Sequence, residues 1–177
     1  KQGGWQGMIL EELIYKRFAG SKSLTGKLAT FHGMPAVFSP EPPGENQEGW
    51  DGAAQYPKVV YSFDLQANAE RRSAGTLSVS LLCQNTTNIM PETIEPLVID
   101  CLCDVVLQPE DGMPYCFAWA RTDGFTIEER KGNITVGSEI RFDILEYPSQ
   151  EISDPDPILA VNQYIKKRYP NSLVIGY

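Results

Sequence analysis

The chain has 177 residues, and 15 lysines and arginines stand against 23 aspartates and glutamates, a net charge of −8. A balance this acidic gains little from phosphate contacts and repels DNA overall, which excludes a generic nucleic-acid binder. The 42% hydrophobic and 21% charged content reads as a soluble globular protein rather than a disordered tail. No apolar run approaches the ~18 residues that would span a bilayer.

Residues 1–7 (Lys-Gln-Gly-Gly-Trp-Gln-Gly) read as a leader outside the folded part. From 8 to 19, Ile9, Leu10, Leu13, Ile14 and Phe18 recur at helical spacing, with Glu12 and Lys16 paired on the other side. Ser23 is the expected cap of a second short helix, and residues 35–38 are expected to form a short strand. Residues 39–55 hold three prolines, three glycines and four acids without a base, which predicts a long exposed loop. Residues 57–65 and 75–83 alternate apolar and polar, the strand period, and are joined by a polar turn carrying Arg71 and Arg72.

A helix is expected from about 94 to 107, with Pro96 in its first turn and Leu97, Val98, Cys101, Leu102 and Val105 on its buried stripe. Asp100 and Asp104 would face outward. Strands follow at 115–121, 125–129 and 134–147, with a hairpin turn at Lys131-Gly132-Asn133 and a bulge at Gly137. After Pro148, Asp156-Pro157 caps an expected helix over 158–169, and Leu173, Val174 and Ile175 form an apolar end. The order of elements spells an α+β fold with a mostly antiparallel sheet against helices. The domain spans 8–147, with a C-terminal helical extension over 148–177.

Reactive chemistry has little support. Cys101 and Cys103 are two positions apart on a helix, roughly 200° around it, so they read as core thiols rather than paired ligands. Cys83 and Cys116 sit in strand patterns and read the same way. His32 reads as a surface histidine, and Asp100 with Asp104 as a solvated helix face. No phosphate loop, dinucleotide fingerprint or nucleophile elbow is present, so neither enzyme activity nor a cofactor or metal is expected. A small-molecule-binding or hydrolytic domain using His32 with nearby carboxylates or thiols is the alternative. The interaction features are the acidic loop with Trp50, the Arg71-Arg72 turn and the apolar C-terminal residues. Trp50 is either an interface anchor or tucked onto its own fold.

The sequence of elements resembles the tail-terminator, or tail-completion, proteins of long-tailed bacteriophages. The likeness runs from the opening helix Ile9 to Phe18 through Ala36-Val37-Phe38-Ser39-Pro40 and a Pro-rich loop into Tyr56-Pro57-Lys58-Val59-Val60-Tyr61. It continues through Gly75-Thr76-Leu77-Ser78-Val79-Ser80-Leu81 and the helix ending Leu102-Cys103-Asp104-Val105-Val106-Leu107. This resemblance implies a non-enzymatic homo-oligomer, a ring and commonly a hexamer, that caps the tail tube and joins the head–tail connector. It places the protein in the tail or neck of a phage or prophage virion, and in the bacterial host cytoplasm during assembly. The expected partners are the tail-tube protein and the connector proteins, with no membrane. DNA would pass the lumen without specific binding, and Glu41, Glu45, Glu48 and Asp51 are the expected lumen acids. Six copies would carry about −48 in charge.

Overall fold

In a computed structural model of the protein, the structure describes residues 2–52, 54–66, 73–85, 87–110, 113–128 and 132–147, the side chains of 2–9 and 73 excepted. The fold is α+β. The elements in chain order are α1 (Gln2–Ala19), α2 (Lys22–Thr25), β1 (Thr30–Phe31), β2 (Met34–Pro35), β3 (Val37–Phe38), β4 (Lys58–Leu65) and β5 (Ser73–Gln84). They continue as α3 (Pro91–Leu102), β6 (Val106–Leu107), β7 (Tyr115–Glu128) and β8 (Ile134–Glu146). Six strands form one sheet in the order β3-β4-β5-β8-β7-β6, with β1 and β2 as a separate hairpin. Only the short β3–β4 contact is parallel, so the sheet is mixed.

The helices lie on one face of this sheet because their apolar stripes match its alternating pattern. Leu10, Ile14 and Phe18 of α1 recur every fourth residue and are fully buried. From α3, Ile94, Val98, Cys101 and Leu102 enter the same core. They meet Val59 and Tyr61 of β4, Leu77, Val79, Leu81 and Cys83 of β5, and Ile140, Phe142 and Ile144 of β8. Each fully buried large side chain contributes about 1.5–3 kcal/mol relative to exposure, so this shared layer dominates stability. Tyr61 crosses from sheet to helix: its ring meets Phe18 edge-on at 5.7 Å and its hydroxyl donates to the Glu11 carbonyl at 2.9 Å. Burial and the Glu11 carboxylate push its phenol above the usual range. The opposite sheet face carries Ser62, Asp64, Thr76, Arg121, Asp123 and Asp143, all exposed.

Several local expectations are corrected. The first helix runs back to Gln2, through the glycines assigned to a leader, because extending a nucleated helix costs far less than starting one. Ser21, not Ser23, caps α2, accepting from the Leu24 amide at 3.3 Å. α3 begins at Pro91 and ends at Leu102, so Pro96 lies inside the helix and Val105 beyond it. Pro91, with no N–H to lose, takes the first helical position that Pro96 was expected to approach. Asp104 has φ +60, a left-handed residue that turns the chain into β6. It therefore does not share a helix face with Asp100. The two strands expected at 115–129 are one, β7, with Ala120 as an extra residue between Trp119 and Arg121. No bulge occurs at Gly137: its register is continuous, and the Phe125 ring lies where a β-carbon would sit. The expected helix at 158–169 falls outside the described residues.

Candidate interaction surface

The acidic loop after β3 folds back on the β1–β2 hairpin. The Asp51 amide donates to Thr30 O at 3.1 Å, the His32 amide to Gly49 O at 2.7 Å, and the Gly33 amide to Asp51 Oδ2 at 2.6 Å. These bonds carry Trp50 into a three-ring cluster, with centroids 5.1 Å from Phe31 and 5.7 Å from Phe38, both edge-on. The indole N–H donates to Gly44 O at 3.3 Å. Below the cluster lies Lys58, only 4% exposed, its ammonium 4.3 Å from the Tyr56 ring centroid and 5.2 Å from that of Trp50. Two aromatic faces thus help to hold a charge at the first residue of β4. Trp50 is tucked onto its own fold.

The loop's acids remain outside this cluster. Glu41, Glu45, Glu48 and Asp51 are exposed; Glu45 Oε1 accepts from the Tyr56 hydroxyl at 3.3 Å, and its carbonyl from the Gln55 side chain at 2.7 Å. Arg71, Arg72, Leu173, Val174 and Ile175 lie outside the described residues.

The residues of the reactive alternative are not brought together by any described contact. His32 is exposed at φ +49 on the β1–β2 turn, its ring edge-on to Phe31 at 4.4 Å and against Gly49. Asp100 stands on the exposed side of α3. Cys83 and Cys101 are buried as expected, but Cys103, which lies just past the end of α3 rather than on it, and Cys116 are half-buried rather than core; all four are free thiols. Burial, reinforced by the Glu92 charge, pushes the Cys83 thiol up to about 11. Burial also raises Cys101 and Cys103, against the opposing Ser21 hydrogen bond and the Trp119 backbone respectively. Raised thiols are protonated near neutrality and are weak nucleophiles and ligands.

Sequence reasoning missed the long free edge of β7. β6 covers only Tyr115 and Cys116, so among the described residues 118–128 pair with no strand on that side. Trp119 and Ile127 are each 51% exposed there. The Trp119 indole N–H donates to Thr122 Oγ1 at 2.9 Å, and Arg121 pairs with Asp123 at 3.2 Å. Beside this edge, on the helix face, opens a groove of about 540 Å³. Thr122, Gly124 and Thr126 line it with Glu92 and Glu95 of α3, and Ser138 donates a short hydrogen bond to Glu95. The signal available in the sequence was Trp119 and Ile127 beside the polar residues Arg121, Thr122, Asp123, Thr126 and Glu128. Reading the segment as two strands concealed it.

Among the described residues no helix is long and apolar enough to cross a membrane. Comparisons with protein-family models, curated proteins and solved structures find no match to this chain.

Proposed function

We propose that this protein is a structural component of a phage or prophage tail, a ring-forming subunit that caps the tail tube and contributes to joining head and tail. Residues 8–147 act as one domain in this reading, and 148–177 as an extension. The observation that carries it is the edge of β7, which no strand among the described residues covers beyond Cys116. Along 118–128 no described strand pairs on the outer side; beyond the Ala120 bulge Thr122, Gly124, Thr126 and Glu128 aim their main-chain groups outward, and Trp119 and Ile127 add exposed apolar surface. The Ala120 bulge and the Arg121–Asp123 pair blunt the first part of this edge, and the regular stretch 124–128, with no lysine or proline, is the part open to strand addition. A single asymmetric surface suffices for a closed ring, because a heterologous contact repeated through a closing rotation returns on itself.

Charge supports the same reading. Glu41, Glu45, Glu48 and Asp51 cluster on one exposed loop, and a ring that turned them inward would repel the DNA passing through it. The tail-tube protein and the head–tail connector are the partners in this arrangement.

Light scattering over a concentration series, with and without polymerised tail-tube protein, tests the proposal. The expected result is a discrete ring mass and binding to tube ends. A species that stays monomeric throughout and never engages tubes overturns it.

A further inference from the structure

Among the described residues the two edges of the sheet are each covered by a short strand at one end only, and the covered ends are opposite. β3 pairs with Val59 and Val60 and leaves 61–65 of β4 without a partner strand among the described residues. β6 pairs with Tyr115 and Cys116 and leaves 118–128 of β7 open. We propose that these open segments join neighbouring copies of this chain: 61–65 of one protomer pairs antiparallel with 124–128 of the next, giving one continuous staggered sheet. This proposal rests on the ring reading above and names its contact.

Strand direction supports the pairing. Three antiparallel steps separate β4 from β7 (β4–β5, β5–β8, β8–β7), so β7 runs antiparallel to β4. A second copy in the same orientation therefore presents β4 antiparallel to the first copy's β7, with the helices of both on one face. That is head-to-tail addition, as a ring requires.

The alternation of amide directions also agrees. The Val59 N–H donates outward to Ala36 O and the Gln66 N–H inward to Ala74 O, so Tyr61, Phe63 and Leu65 aim their main-chain groups outward. On β7, Arg121, Asp123, Phe125 and Ile127 face the β8 residues that bond to them, so Thr122, Gly124, Thr126 and Glu128 aim outward. On β4 the outward set has its side chains on the helix face, as core-facing Tyr61 shows, and on β7 the outward set lines the groove beside α3. Hydrogen-bond parity and face parity thus permit the same registers. Had they differed, no same-orientation pairing would satisfy both.

Steric limits choose among those registers. β3 of the incoming copy occupies the place beside Val59 and Val60, so Tyr61 can advance no further along β7 than Glu128. That sets Tyr61 opposite Glu128, Phe63 opposite Thr126 and Leu65 opposite Gly124. Phe63 and Leu65, half-buried at the edge of the core, then rest on the small-residue floor of the 540 Å³ groove. On the other face Ser62 meets Ile127.

The variants Ser62→Cys and Ile127→Cys, each adding one surface thiol to the four native cysteines, purified separately and mixed under mild oxidation, test the contact on non-reducing gels. This is a non-hydrogen-bonded cross-strand pair, whose α-carbons lie about 4.5 Å apart, within disulfide reach. A dimer band is expected in the mixture and in neither variant alone, nor in wild type or a Ser62→Cys with Arg121→Cys mixture. Thr126→Pro removes an outward N–H without touching the β8 ladder, and should weaken assembly about tenfold while leaving the far-UV spectrum unchanged. Cross-linking of Ile127→Cys with itself would show two-fold β7–β7 pairing and overturn the proposal. So would wild-type rings that Thr126→Pro leaves intact, an outcome that spares the ring reading. A wild type that never assembles overturns both.

Discussion

Trp50 and Trp119 sit on opposite sides of the sheet, and their surroundings differ in the way that matters for function. Trp50 is enclosed by Phe31, Phe38 and the Lys58 ammonium, and its N–H is spent on a loop carbonyl. Trp119 is 51% exposed and stands beside an edge that no described strand covers. The first tryptophan holds a long loop on the body that bears it. The second leaves apolar area facing outward from a strand that can still form hydrogen bonds. The lesson is that a tryptophan in a Pro/Gly-rich acidic loop resembles an interface anchor in sequence but can be a staple. One within a strand of alternating polarity resembles core but can be surface.

The largest expected effect concerns the edge on the Trp50 side. A β-carbon at Gly75 would collide with the Asp64 carbonyl across β4 and β5, where backbone cannot yield cheaply. Gly75→Ala should therefore destabilise by about 3 kcal/mol or more, read from urea unfolding. Trp50→Ala is the next test and removes the centre of the aromatic cluster; about 2–3 kcal/mol is expected. Trp119→Ala should alter stability by less than about 1 kcal/mol. Equal losses for the two tryptophans would erase the contrast between staple and surface.

A smaller effect sharpens the contrast between core and surface by pH. Folding raises the Cys83 thiol from an ordinary 9.0 to about 11, so the native state holds this proton where the unfolded chain has released it. The resulting stability is complete below about pH 9 and is lost as pH rises through 11. Melting temperature should fall across that window, and less steeply in Cys83→Ala. The smallest effect belongs to the exposed Glu12–Lys16 pair, 3.1 Å apart with both side chains about two-thirds exposed. Glu12→Ala should change stability by no more than about 0.5 kcal/mol and lose that effect in high salt.

Much of the architecture was legible because burial imposes a period. Leu10, Ile14 and Phe18 recur every four residues; Leu77, Val79, Leu81 and Cys83 recur every two, and the elements they mark are present. Boundaries were less legible where two residues compete for one role. Pro91 and Pro96 both suit a helix start, and Ser21 and Ser23 both suit a cap, and the sequence around them does not rank them. Gly137 illustrates the limit for strands: a glycine signals that a side chain would not fit, but not whether a turn, a bulge or the ring of Phe125 occupies the space. Of the candidate surface, the acids of the 39–55 loop could be named in advance because carboxylates in a loop that holds no base stay in water.

The amino-acid sequence on its own determined the α+β class, the acidic surface and the burial of Cys83 and Cys101, since each follows from local period or composition. Tertiary structure alone decided which strand edges stay open among the described residues. Edge coverage depends on strand order and on how far the short strands β3 and β6 reach along their neighbours, and both arise from pairings between residues distant in the chain.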